Sequence, residues 1–259
     1  MKRGNVGVTS GPAGGSWSSP GRGAAERVAQ RVFYDLKSAI VAMALPPGRA
    51  LSEAEIAARM GVSRQPVREA FIKLGEAGLV RIRPQRGTFV VKISIKQVTD
   101  ARFVREAVEV AVVRKACEVM TADSIAALRE NLVQQKDVIS EASPTPFLAL
   151  DEAFHRGLAL GVDCDYAWRV VEEVKAQMDR VRYLSIPETT PVARLVEQHA
   201  AILDAVEAHN EAAAEAAVRA HLSEILTSLP LIERAYPDLF DAGEPDEPAQ
   251  PSPSELTRT

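Results

Sequence analysis

The sequence predicts a mainly α chain in two folded parts: three helices finished by a β-hairpin, followed by an all-α antiparallel bundle. Three observations carry that expectation. Apolar residues recur at helical spacing almost without interruption from Glu26 to about residue 235. Between Gly61 and Gly78 the run GVSRQPVREAFIKLGEAG combines a capping serine, an early proline and two unlike faces. Charge divides sharply, with 12 Lys and Arg against 6 Asp and Glu over residues 26–93, and 16 against 29 from residue 94 onwards. A basic module is thus joined to an acidic one, as expected when only one part of a chain meets phosphate.

Taken in order, residues 1–24 are rich in Gly, Ser and Pro and carry too little apolar surface to offset ordering entropy, so they are expected to be a disordered tail. The first domain is expected over 25–93. Its first helix runs from Glu26 through Val28, Val32, Leu36, Ile40 and Met43 to Leu45, and Pro46-Pro47-Gly48 ends it. Ser52 and Glu55 have capping-box spacing and open a short second helix with Ile56, Ala57 and Met60 inward, stopped by Gly61. In the third helix Ser63 stands at the cap and Pro66 in the first turn. At about 100° per residue Val67, Ala70, Phe71 and Leu74 share one side, and Arg64, Gln65 and Arg68 the other. Ile72 alone departs from this division. Leu79 to Arg83 and Thr88 to Val91 alternate around Pro84-Gln85-Arg86-Gly87, the pattern of a hairpin with a basic tip.

Three helices and a basic hairpin describe a winged helix-turn-helix. Its third helix enters the major groove with N-terminal residues near base edges, while arginines and backbone N–H groups hold phosphate. Arg64 and Arg68 suit guanine edges or phosphates, Gln65 an adenine, and Arg86 a phosphate or the minor groove. The run LSEAEIAARMGVSRQPVREAFIKLGEAGLVRIRPQRGTFV resembles the N-terminal domain of the GntR transcription regulators over some forty residues. That resemblance implies that Ser63, Arg64, Gln65, Arg68, Arg86 and Gly87 occupy positions contacting operator DNA.

From Ser94 only helical patterns follow, over about 96–120, 122–141, 145–160, 165–185, 191–209 and 211–235, which predicts a bundle domain over 94–240. Residues 241–259, acidic and rich in Pro and Ser, are expected to be disordered. Three of the four histidines fall at core-facing positions of these helices. Asp151 and His155, four apart, project from one face. With a turn at Asn210, His199 lies 11 residues before it and His221 11 after, which sets both about 16 Å from the turn, level on antiparallel neighbours. One carboxylate and three imidazoles suit a divalent zinc, nickel, manganese or iron ion, zinc first among them. His209, near a helix end, reads as a cap.

The segments FVREAVEVAVVRKA, DEAFHRGL, EQHAAILDAV and AAVRAHL are similar to the ligand-sensing FCD domain, across nearly all of residues 96–235. The resemblance implies that Asp151, His155, His199 and His221 bind a divalent metal, that a small organic acid effector sits on it, and that Arg105 belongs to the same pocket. From the residues alone, Arg105 reads equally as an intrahelical partner of Glu109.

Composition excludes other classes. No run of about eighteen apolar residues could span a bilayer, and there is no apolar core of a secretory signal. The two cysteines, Cys117 and Cys164, form no Cys-x-x-Cys pair, which fits a reducing, cytoplasmic setting. The expected function is therefore that of a homodimeric, metal-dependent, effector-responsive transcription regulator. It would act as a repressor at inverted-repeat double-stranded DNA and release it on binding a small carboxylate such as a sugar acid. A sensor of the metal itself, or a metal-dependent hydrolase, are the alternatives.

Overall fold

The computed structural model describes residues 22–241. The tails expected over 1–24 and 241–259 lie outside the described residues, apart from Arg22–Ala24, which are helical, and Asp241. The chain is mainly α, with a small antiparallel sheet near its N-terminal end.

Helix α1 (Arg22–Val41) ends four residues short of the expected Leu45, because Met43 turns left-handed (φ 59°) and the Leu45 N–H closes back on the Ala39 carbonyl at 3.0 Å. Helix α2 (Glu53–Met60) begins where its capping serine dictates, the Ser52 hydroxyl accepting from the Glu55 N–H at 3.3 Å, and Gly61 ends it at φ 65°. Helix α3 (Arg64–Glu76) follows with Ser63 in the extended cap conformation, but the Ser63 side chain makes no capping bond. The reason lies in the sequence: the third helical position, whose N–H a serine cap commonly takes, is Pro66, which has none. Val67, Ala70, Phe71 and Leu74 are buried as their spacing requires, against Val32, Leu36 and Ile40 of α1, while Ile72 is 49 % exposed.

The sheet holds three strands in the order β1-β3-β2, with β1 at Ala50–Leu51, β2 at Val80–Arg83 and β3 at Gly87–Val90. The hairpin register pairs Val80 with Val90 and Arg83 with Gly87, and its turn uses left-handed backbone at Gln85 (φ 61°) and Gly87 (φ 102°). Strand β1 is an addition to the expected hairpin; two residues are too few to show a period of two.

The bundle comprises α4 (Ile95–Val119), α5 (Ala122–Asp137), α6 (Thr145–Gly161), α7 (Asp165–Val174), α8 (Ala176–Glu188), α9 (Val192–Glu207) and α10 (Glu211–Ala235). The single segment expected over 165–185 divides at Lys175 into α7 and α8. Ala176, Gln177, Met178, Asp179, Arg180 and Val181 are all buried in succession, so the first half of α8 has no solvent face and its apolar residues show no stripe. It is packed on two sides. Ala176 joins the core of the N-terminal helices, whereas Met178 and Val181 join Ile225, Leu229 and Ile232 of α10. Gln177 Nε2 donates to the Gly78 carbonyl at 2.6 Å and Arg180 Nη1 to the Val91 carbonyl at 3.0 Å, so α8 holds both the end of α3 and the chain just beyond β3.

Candidate nucleic-acid interface and metal centre

On the N-terminal unit Ser63, Arg64, Gln65 and Arg68 are exposed at the start of α3, and Arg86 and Gly87 are exposed at the hairpin turn. Local partners hold two of these side chains. Gln65 Nε2 donates to Glu69 Oε1 at 3.0 Å, one helical turn on. Arg68 makes a two-pronged pair with Glu53 of α2, at 3.1 Å through Nε and 3.0 Å through Nη2, and that hydrogen bond lowers the Glu53 carboxyl from its ordinary value. Arg68 thereby braces α2 against α3, while the uncapped Ser63 hydroxyl remains at a helix N-terminus, where N–H groups favour anions.

In the bundle, Asp151 and His155 of α6, His199 of α9 and His221 of α10 converge, all four buried, with one potential ligand atom from each lying within 4.8 Å of the others. His221 Nε2 lies 3.2 Å from His155 Nε2 and 3.3 Å from His199 Nε2, and Asp151 Oδ1 lies 3.3 Å from His199 Nε2. Ligands about 2.1 Å from one central ion stand about 3.0 to 3.4 Å apart along the edges of an octahedron or tetrahedron. These three separations match such edges, while His155 Nε2 to Asp151 Oδ1, at 3.9 Å, is wider and would have to close on an ion.

The protonation pattern fits as well. His199 Nδ1 faces Gln135 Oε1 at 2.8 Å and His221 Nδ1 faces Gln198 Oε1 at 3.0 Å. Each glutamine is oriented by its own amide nitrogen, Gln135 donating to Asn131 Oδ1 at 2.7 Å and Gln198 to Glu224 Oε2 at 3.1 Å. His155 Nδ1 stands 2.7 Å from Glu109 Oε2, outside hydrogen-bond alignment. With glutamine oxygens accepting at the Nδ1 of His199 and His221, these two rings keep their proton there when neutral and turn Nε2 lone pairs towards the point that His155 Nε2 also faces, the arrangement metal ligation needs. Burial pushes His199 down to about 4, against the raising effect of Asp151, and burial with the neighbouring rings holds His221 well below the usual imidazole range.

Two arginines complete the centre. Arg182 of α8 grips Asp151 with both terminal nitrogens, at 2.6 and 2.7 Å. Burial by itself would raise Asp151, yet Arg182 and His199 hold it well below the carboxylate range. Arg105 of α4 is buried and pairs with Glu109 at 2.5 Å; burial would raise Glu109 too, but Arg105 and His155 bring it to about 2. Arg105 therefore takes its intrahelical partner and also lies on a cavity of about 230 Å³ whose wall includes Asp151 and Arg182. His209, φ 54° beyond the end of α9, points its ring at the Cys117 carbonyl, 2.6 Å away.

Sequence reasoning missed Arg182, Gln135 and Gln198. Gln135 left a signal, being a fully buried amide that continues the Leu128 and Leu132 stripe of α5. Gln198 stood beside a singled-out histidine, whereas Arg182 left no signal because α8 has no apolar stripe to interrupt.

A winged three-helix unit carried on a helical bundle is the architecture of a DNA-binding regulator. Residues 28–90 match the family of bacterial regulatory proteins called gntR, and residues 100–224 match the FCD domain. The chain is 43 % identical over 213 residues to the HTH-type transcriptional repressor RspR of Escherichia coli, covering 82 % of this chain and 93 % of that one. It belongs to the GntR family of transcription regulators, with an FCD domain. The fold is similar to that of a GntR regulator from Rhodococcus sp. RHA1, with TM-score 0.66 and 26 % identity over 79 % of this chain and 98 % of the other. It is also similar to E. coli McbR/YncC, with TM-score 0.69 and 19 % identity over 81 % and 98 %.

Proposed function

We propose that this GntR-family regulator is a metal-dependent repressor that binds an inverted-repeat operator as a homodimer and is released by a small organic acid, such as a sugar acid. The observation that carries the reading is the set of three imidazoles whose Nδ1 atoms all face acceptors while their Nε2 atoms converge with Asp151 beside a cavity. His155, His199, His221 and Asp151 would hold a divalent ion, zinc first among nickel, manganese and iron. Such an ion would supply positive charge for a carboxylate oxygen. Arg105 and Arg182, both on the cavity wall, add cationic charge for the same group.

On the DNA side, Ser63, Arg64, Gln65, Arg68, Arg86 and Gly87 would meet the operator, with Arg64 reading a base edge and Arg86 and Ser63 holding phosphate. Dimerisation would supply the second half-site, and Phe103, 69 % exposed on α4, is an apolar side chain available to an interface. Regulation needs the acid to bind the DNA-incompetent arrangement more tightly; a tenfold loss of operator affinity corresponds to about 1.4 kcal/mol of coupling. A regulator of the cytoplasm, where such acids are metabolised, suits this mechanism.

The experiment pairs elemental analysis with fluorescence anisotropy on an operator selected by the protein from random duplexes. The wild type should carry one divalent ion per chain and lose operator affinity when an acid is added; His199→Ala should lose most of the ion and the response. Full metal occupancy in His199→Ala would refute the ligand set, and an operator affinity that follows zinc concentration alone would favour a metal sensor.

A further inference from the structure

The 230 Å³ cavity does not belong to the bundle alone. Its lining includes Asp151, the one of the four converging residues that reaches it, together with Arg105 and Arg182, and α1 contributes Tyr34, Lys37 and Ser38. Its volume gives room for a small metabolite.

The charges on this wall are unequally matched. Arg182 is paired with Asp151, Arg105 with Glu109, and Lys175 with both Glu152 at 3.1 Å and Asp179 at 2.6 Å. Lys37 differs from these three. Among the described residues on the cavity it is the lysine or arginine whose charged group reaches no carboxylate, its Nζ meeting only the Glu172 carbonyl, at 3.5 Å. An ammonium is a donor with three hydrogens, so a largely desolvated one next to a cavity calls for an acceptor group there. Burial and the neighbouring Lys175 lower Lys37 from its ordinary value, outweighing Asp179, Glu172 and Glu152, which act on it from beyond pairing distance.

We propose that Lys37, assisted by Ser38 and Tyr34, binds the far end of the effector, so that the ligand spans from the metal centre to α1 and touches the DNA-binding domain directly. The inference rests on the carboxylate-on-metal reading above and narrows it: the effector is a short acid with a second acceptor, carboxylate or hydroxyl, at its other end. Because α1 packs through Val32, Leu36 and Ile40 onto Val67, Ala70, Phe71 and Leu74 of α3, a ligand that fixes α1 acts on the DNA-reading helix through one layer of side chains.

The test uses the zinc-loaded full chain and three probes, acetate, succinate and D-gluconate, titrated calorimetrically into the wild type, Lys37→Met and Lys37→Arg. The wild type should bind succinate or gluconate at least tenfold more tightly than acetate. Lys37→Met should lose that margin, retain its zinc and bind acetate as the wild type does, while Lys37→Arg should recover part of the margin. Amide exchange across residues 28–42 should slow on saturation with the tighter probe in the wild type and not in Lys37→Met. If no probe binds the wild type, the carboxylate-on-metal reading itself falls, and this inference with it. If the wild type shows no margin over acetate, or Lys37→Met keeps it, the metal-site reading survives and the second anchor on α1 is overturned.

Discussion

At His199 the chemistry of the centre becomes a pH dependence. Burial holds the folded imidazole at about 4, whereas a histidine in an unfolded chain titrates near 6.5. The unfolded state therefore binds protons more readily across that interval. Stability that is fully present above about pH 6.5 is lost as the pH falls towards 4, by an amount on the order of 3 kcal/mol. Thermal melting of chelator-treated protein should show a falling midpoint across this window, and His199→Gln a shallower one; equal slopes would mean that other groups govern the acid limb. Arg182 makes a second case. Removing it leaves Asp151 buried without its main counter-charge, a loss worth about 3–5 kcal/mol, and a bound cation would replace part of that charge. Arg182→Ala should lower the denaturant midpoint strongly in chelator and much less in zinc; equal losses would show that no cation shares Asp151. The four converging residues were legible in the sequence because i to i+4 spacing and equal distance from a turn are properties of single helices and one hairpin. Arg182 was not legible, since its approach depends on how α8 is wedged between two domains, which no periodicity encodes.

At the scale of elements, the same wedge decides how the two domains are held. Gln177 uses both ends of its amide, Nε2 donating to the Gly78 carbonyl at 2.6 Å and Oε1 accepting from Arg180 Nη1 at 3.1 Å. Arg180 is wholly buried, its Nε and Nη2 have no partner among the described residues, and burial lowers it to about 10. A guanidinium kept there with one of its nitrogens bonded makes this contact costly to weaken further. Gln177→Leu should remove the bond to Gly78, strip Arg180 of one acceptor and destabilise the junction by about 1–3 kcal/mol. Amide exchange should quicken in peptides covering 78–92 and stay unchanged in those from α5 and α9; no change at 78–92 would assign domain docking to Ala176 and its apolar neighbours. The other elements followed from local rules. Pro46-Pro47-Gly48, Ser52 and Gly61 placed helix ends correctly to within a few residues, because caps and breakers act on neighbouring backbone. Two features escaped: β1 because two residues carry no pattern, and the division at Lys175 because the backbone there stays in the right-handed helical region (φ −78°, ψ −7°) and no glycine or proline marks it.

For the whole molecule, the division of charge governs how it meets DNA. Residues 26–93 carry an excess of 6 positive charges and residues 94–259 an excess of 13 negative ones, so the protein as a whole is repelled by a polyanion while one module is drawn to it. Binding should therefore be oriented, with the acidic bundle turned away, and steeply salt-dependent, since each phosphate neutralised contributes about −0.9 to the slope of log K against log salt. That slope separates two roles that the fold leaves side by side. Arg86, exposed at the hairpin turn, is suited to hold phosphate; Arg86→Ala should weaken operator and unrelated duplexes alike and make the slope shallower by about 1. Arg64, in the first turn of α3, is suited to a base edge; Arg64→Ala should cost about 1–3 kcal/mol on the operator, little on an unrelated duplex, and less of the slope. Anisotropy titrations of both variants over a range of salt, on both duplexes, measure these affinities and slopes. Equal losses for the two variants on both duplexes would place Arg64 on the phosphates as well, and the base reading would then have to come from Gln65 once it exchanges Glu69 for an adenine edge.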